Sequence, residues 1–272
     1  MSDKNGKTTP TKRAIFVVSQ KGGVGKTTWA RAYLDMARKA GVVVAAYDAD
    51  GQVGQLMQYH GTRTNGKLDV QQNPLEGVGY FDVRDEKQRD ELINALNLES
   101  DVILMDMPGG SVQEMAKVLG DGKKDDPEAS RALIRAYVKE GYEVIVVVVI
   151  SNVISSVRTV GETVSLFGDE AKYVVVKNEA FGAADEFLIF EGYKDAQGNK
   201  RHGKGREAVE KMHGEVVVMP KMRADTYGVI DVESVSFSNV RDIAYINRAD
   251  KMRVEQWLEK FVESIKGTSV GL

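Results

Sequence analysis

The sequence predicts an α/β fold: one domain built on a mostly parallel, twisted sheet of about seven strands with helices on both faces. Three observations predict it. Short apolar runs rich in β-branched residues recur along the 272 residues, with stretches of helical period between them. A glycine-rich stretch, Ser19 to Thr28, joins the first of these runs straight to a helical one. Two further runs end in aspartate, at Asp48 and Asp106, and carboxylates at the C-terminal end of a parallel strand face the crevice where open α/β sheets bind ligands.

Taken in order, Ala14 to Val18 is the first buried strand. A helix runs from Thr27 to Ala40 and is closed by Gly41, at the position that needs a left-handed residue. Between the two, backbone N–H groups point into one concavity backed by the positive end of the helix dipole, the construction of a phosphate-binding loop. Lys26 then reaches terminal phosphates, and the Thr27 hydroxyl offers one coordination position to Mg²⁺. Val42 to Tyr47 is the second strand, so strand, helix and strand form a βαβ unit with parallel strands. A short helix over Gly54 to Tyr59 and a polar loop over 61–77 lead to a third strand, Val78 to Val83. Leu92, Ile93, Leu96 and Leu98 space a helix over Lys87 to Leu98. Val102 to Met105 is a buried strand that delivers Asp106, and Pro108 with Gly109 breaks it, which lets the Gly109 N–H donate toward a γ-phosphate.

Beyond a charged break at 121–126, the pattern predicts a helix over Pro127 to Lys139 and a central strand over Glu143 to Ile150, too β-branched for a helix. A helix over Ser156 to Phe167 comes next, then a strand from Lys172 that ends at Lys177 and Asn178. Phe187 to Phe190 reads as an extra strand and Val216 to Pro220 as the last core strand. Val240 to Ile265 is helical by period, with Val254, Trp257, Leu258, Phe261, Val262 and Ile265 on one face.

The strict phosphate-loop pattern asks for glycine at position 20, and Gln20 stands there. The chain continues as Lys21-Gly22-Gly23-Val24-Gly25-Lys26-Thr27-Thr28, and this string resembles the deviant phosphate loop of the ParA/MinD family of P-loop NTPases, which are dimerising ATPases. The resemblance implies ATP and Mg²⁺ as ligands, with residues 22–28 around the phosphates. It implies that Lys21 contacts the nucleotide held by the partner subunit of an ATP-sandwiched homodimer. Gly22 and Gly23 then let two backbones approach. Asp48-Ala49-Asp50 resembles the family's first switch: Asp50 orients the attacking water or accepts its proton, and Asp48 lies in the outer shell of Mg²⁺. Asp106-Met107-Pro108-Gly109 resembles the second switch, with Asp106 binding Mg²⁺ through water. Lys21, Lys26 and Asp50 are thus the implied catalytic set, and Thr27, Asp48 and Asp106 the implied metal set. Asn178 and the segment Pro220, Lys221 and Met222 match positions that border adenine. The resemblance thins over 180–212, a variable insertion, which bounds the domain at 13–266 between tails at 1–12 and 267–272.

Composition narrows the choice. The absence of cysteine removes disulfides, thiolate metal sites and cysteine nucleophiles, and with them the iron–sulfur and arsenic-sensing relatives of that family. His60, His202 and His213 have no spacing that suggests a metal site. A net charge of −3 gives no global reason to expect nucleic acid, although Lys200, Arg201, Lys204 and Arg206 form a local cationic loop able to bind DNA phosphates without sequence preference. Met1 to Lys12 is polar and reads as a flexible tail on a cytoplasmic protein. Glu255, Glu259 and Glu263 on the polar side of the last helix favour docking in the core over membrane anchoring.

The resemblance therefore implies an ATP-driven switch that hydrolyses ATP to ADP and phosphate. It positions cargo with an adaptor or activator protein, in plasmid partition, stability or conjugation, as in the StbB/TraL-like branch. Three alternatives stay open: a MinD-like membrane-cycling ATPase, a P-loop small-molecule synthetase similar to dethiobiotin synthetase, and a module that binds ATP without hydrolysis.

Overall fold

The computed structural model of the chain describes residues 12–51, 54–119 and 127–272. In chain order these form β1 (Lys12–Val18), α1 (Lys26–Lys39), β2 (Val44–Asp48), α2 (Gln55–His60), a hairpin of β3 (Arg63–Thr64) and β4 (Lys67–Leu68), β5 (Gly79–Tyr80), α3 (Glu91–Asn94) and β6 (Val102–Asp106). Then come α4 (Val112–Met115), α5 (Pro127–Lys139), β7 (Tyr142–Ile150), α6 (Ile154–Phe167), β8 (Lys172–Asn178), α7 (Leu188–Glu191) and a hairpin of β9 (Gly192–Lys194) and β10 (Lys200–His202). The chain closes with α8 (Lys204–Lys211), β11 (Glu215–Met219), α9 (Ala224–Glu233) and α10 (Arg248–Ile265).

Strand side chains alternate between two cores, which is why the strands are apolar throughout. In β1, Ala14, Phe16 and Val18 enter one core while Ile15 and Val17 enter the other; β6 and β7 divide in the same way. Among the described residues, seven strands make one sheet in the order β11-β8-β7-β1-β6-β2-β5, and every neighbouring pair is parallel. Helices α1, α9 and α10 cover one face, and α5, α6 and α8 cover the other. The predicted α/β architecture is thus present. Because β1 lies between β6 and β7, the loop that leaves it emerges mid-sheet, beside the ends of β2 and β6.

Helix α1 ends as glycine chemistry requires. Gly41 has φ +82°, its N–H bonds the Arg38 carbonyl, and the Val42 N–H bonds that of Ala37, both at 3.0 Å.

Several elements differ from the sequence reading. The expected strand over Val78 to Val83 is a two-residue edge pairing, Gly79 with Tyr47 and Tyr80 with Asp48. The expected helix over Lys87 to Leu98 shrinks to α3 and a 3₁₀ turn, because Asp82 and Asp85 bond the backbone N–H groups of Arg84 and Lys87 and hold a turn instead. Phe187 to Phe190 is not a strand but enters α7: Phe187 and Phe190 are buried while Leu188 and Ile189 are exposed, a spacing of three rather than two. The last helix begins at Arg248, where Asn247 caps it by accepting from the Asp250 N–H at 2.9 Å, and Val240 sits in a separate 3₁₀ turn. Residues 267–272, expected as a tail, are docked: Val270 is fully buried, and Arg13 donates to the Ser269 and Gly271 carbonyls. Lys12, placed in the N-terminal tail by the sequence, already belongs to β1; the rest of that tail and the break at 121–126 lie outside the described residues.

Candidate functional site

The loop between β1 and α1 is held from three sides. Gly25 caps α1 with φ +99°, and a Cβ there would meet Asn178 Nδ2 at 2.4 Å and Met219 Cε at 2.9 Å, so both conformation and packing require glycine. Asn178 Nδ2 donates to the Val24 carbonyl at 2.8 Å, and its Oδ1 accepts from the Ala180 N–H at 3.0 Å. This side chain therefore ties the end of β8 to the underside of the loop. Gln20 anchors the opposite rim: its N–H donates to Thr159 Oγ1 at 3.1 Å and its Nε2 to Glu162 Oε2 at 3.0 Å, both on α6. The third side is the turn after β6. Gly110, at φ +76°, donates its N–H to the Ser19 carbonyl at 3.0 Å, and a Cβ on Gly109 would come within 3.3 Å of the Gly22 nitrogen.

At the mouth of the loop the strand ends converge. Asp48 and Asp106 are register partners across β2 and β6, and both are buried. The Asp48 carboxylate is fully engaged, accepting from the N–H groups of Asp50, Leu56 and Met57, and so it caps α2 from outside. Asp106 differs: its Oδ1 is buried and has no hydrogen-bond partner among the described residues. Burial, then the charge of Asp48, pushes the Asp106 carboxyl well above the usual range, while Lys26 and the Thr27 hydroxyl pull it down. Lys26 is itself buried, and its ammonium is lowered first by burial, with Asp106 and Asp50 opposing and Arg84 adding to the decrease. A buried oxygen lacking a donor, beside a buried ammonium and a threonine hydroxyl, is what a hydrated cation and a phosphate would satisfy, so the residues present fit Mg²⁺ and a nucleotide.

The remaining sequence candidates fall in different places. Lys21, Gly22 and Gly23 are exposed, no atom lies within 4 Å of a Cβ built on either glycine, and Lys21 forms no salt bridge among the described residues. Val24 is buried. The Thr28 hydroxyl pairs with Tyr227 Oη at 3.0 Å. Pro220 accepts from Trp257 Nε1 at 2.6 Å, and Lys221 and Met222 line a cavity of about 150 Å³ with Arg253 and Gln256 of α10. Of the four loop cations, Arg201 pairs with Asp195 at 2.9 Å and Arg206 with Glu210 at 2.7 Å, within an ordered hairpin and helix.

One residue escaped the sequence reading. Arg84 donates from Nη1 to Asp50 Oδ1 at 3.0 Å and from Nη2 to the Gly109 carbonyl at 3.5 Å, and so bridges the two aspartate-bearing segments. Its signal was faint: it follows the stretch Val78 to Val83, which Gly79 and Asp82 interrupt.

The model of the CobQ/CobB/MinD/ParA nucleotide binding domain family matches residues 15–227, a span that contains the whole loop and both aspartate segments. The chain belongs to this family. A CobQ/CobB/MinD/ParA nucleotide binding domain thus accounts for the parallel sheet. Solved structures agree in fold. The cell division ATPase MinD of Pyrococcus furiosus is 20% identical, with 93% of this chain and 99% of that one covered at a TM-score of 0.51. The septum site-determining protein MinD of Pyrococcus horikoshii, solved with Mg-ADP, is 17% identical over 93% and 95% at the same TM-score of 0.51. No curated protein matches the sequence.

Proposed function

We propose that the chain is an ATP-dependent dimerising switch that hydrolyses Mg-ATP to ADP and phosphate. The observation that carries this reading is Asp106, a buried carboxylate with an oxygen that no described residue satisfies, at the mouth of the glycine loop that holds Lys26. Thr27 and Asp106 would hold Mg²⁺, Asp106 through water, while Asp48 supports them by fixing α2. Mg²⁺, when bound, offsets phosphate charge. Gly22 to Thr27 and Gly109 would surround the phosphates, Asp50 would orient the attacking water and take its proton, and Asn178 with the 220–222 segment would border the base. The Mg-ADP in the Pyrococcus horikoshii relative supports this choice of ligand within the family.

Dimerisation rests on Lys21. An exposed lysine in a glycine loop, with no salt bridge among the described residues, suits a phosphate bound by a second copy. Plasmid partition or conjugative transfer is the setting we favour, because the insertion over 180–212 departs from the chromosomal ParA pattern, with an adaptor as stimulating partner. DNA contact through Lys200, Arg201, Lys204 and Arg206 is weakened by the two ion pairs that Arg201 and Arg206 already make. A membrane cycle through α10 is disfavoured because its apolar face is spent in the core, and among the described residues no helix is long and apolar enough to cross a membrane.

The test is phosphate release from ATP with and without Mg²⁺, alongside nucleotide affinity. The unmodified chain releases phosphate only with Mg²⁺, and Lys26→Ala loses at least about thirtyfold in affinity, as removal of one partner from a buried charge pair does. Turnover that needs a small carboxylate or amine would point to a synthetase, and tight binding without any phosphate release to a passive module.

A further inference from the structure

We propose that Arg84 is a sensor of the terminal phosphate acting within its own subunit: without nucleotide its guanidinium holds Asp50 and the Gly109 turn, and with a triphosphate bound it moves to the γ-phosphate and releases Asp50. The proposal rests on the ATPase reading above and names how that site is kept inactive until loaded.

The geometry separates a fixed stem from a movable head. The Arg84 N–H donates to Asp82 Oδ1 at 2.9 Å, and its carbonyl accepts from Arg89 Nη2 at 3.2 Å. Arg89 is buried and also bonds the Val83 carbonyl and Glu114, while the Val83 N–H is tied to the Ala49 carbonyl, between the two switch aspartates. The guanidinium itself is 43% exposed, held by Asp50 at 3.0 Å with Asp82 at 3.9 Å. An ion pair so open to solvent is weak, and a guanidinium fork matches a phosphate at least as well as a carboxylate. The two contacts of Arg84, Asp50 Oδ1 and the Gly109 carbonyl, lie on the segments that follow β2 and β6, beside the glycine loop that carries Lys26.

The consequence is discrimination. While its carboxylate is held by Arg84, Asp50 is not free to orient an attacking water. ADP offers no γ-phosphate to draw the guanidinium away, so only a triphosphate frees the carboxylate.

The experiment measures calorimetric affinities of the full chain for ADP and for AMPPNP, in the unmodified protein, Arg84→Ala, Arg84→Lys, Asp50→Ala and the double variant. The backbone anchors of residue 84 survive truncation, and melting temperatures report that the variants fold. Arg84→Ala is expected to keep its ADP affinity within about twofold and to lose about tenfold or more for AMPPNP, the effect of a lost charge-assisted hydrogen bond. Arg84→Lys recovers part of that loss. Asp50→Ala tightens AMPPNP by releasing Arg84, and this gain disappears in the double variant, a coupling that a merely structural arginine would not produce. The proposal is overturned if Arg84→Ala discriminates between the two nucleotides as the unmodified chain does, or if the gain from Asp50→Ala persists without Arg84. Failure of the unmodified chain to bind either nucleotide would instead remove the ATPase reading and this inference with it.

Discussion

Asp106 concentrates the conflict between stability and function in one side chain. Its carboxylate is buried against Asp48 with one oxygen unsatisfied among the described residues, an arrangement that costs folding energy and that the proposed ligand would offset. Asp106→Asn is expected to raise the melting temperature of the nucleotide-free protein by a few degrees while abolishing Mg²⁺-dependent turnover, and a thermal scan beside a phosphate-release assay checks both. His60 carries a second cost. Its Nε2 is buried without a hydrogen-bond partner among the described residues, and burial pushes the imidazole down from 6.5 to about 4, with Arg31 and Arg38 adding to the shift and Asp35 opposing it. The folded state keeps this ring neutral where the unfolded chain protonates it. Stability from His60 is therefore full above pH 6.5 and is lost as pH falls toward 4. Urea melts across that range should show a shallower pH dependence in His60→Leu, by at most about 1.4 kcal/mol per pH unit; equal slopes would remove His60 as the cause.

At the scale of elements, the glycine loop and α10 make opposite demands. Gly25→Ala would place a methyl group against Asn178 and Met219 at φ +99°, and should cost about 2 kcal/mol or more in a urea melt, in addition to weakening nucleotide binding. Trp257 stacks on Phe261 and bonds the Pro220 carbonyl, so Trp257→Ala should lose about 3–5 kcal/mol. A membrane anchor at this position would instead leave stability unchanged and abolish liposome binding. The sequence made the loop, both aspartate segments and the buried strands legible because each depends on local chemistry: glycine where φ is positive, an apolar run that ends in a carboxylate. Arg84 and α7 were not legible in that way. The turn over 82–90 forms because Asp82, Asp85 and Arg89 bond the backbone, and α7 forms because Phe187 and Phe190 find a common core; neither can be read from hydrophobic period alone. The reach of Arg84 to Asp50 spans 34 positions in sequence and exists only once β2 and β5 pair.

For the whole molecule, the proposed function requires that a complete site take two copies of the chain, with Lys21 serving a nucleotide that its own subunit does not hold. Lys21→Ala alone should remain monomeric with Mg-ATP in size-exclusion chromatography, whereas Asp50→Ala should accumulate as a dimer that does not turn over. Mixing the two variants decides whether Lys21 acts across the subunits. In a mixed dimer, the site that retains Asp50 receives Lys21 from the other chain, while the second site lacks both. Phosphate release should therefore return to a large fraction of one site's activity on mixing, although each variant alone is inactive; a mixture as inactive as its components, or full activity in Lys21→Ala by itself, would contradict it.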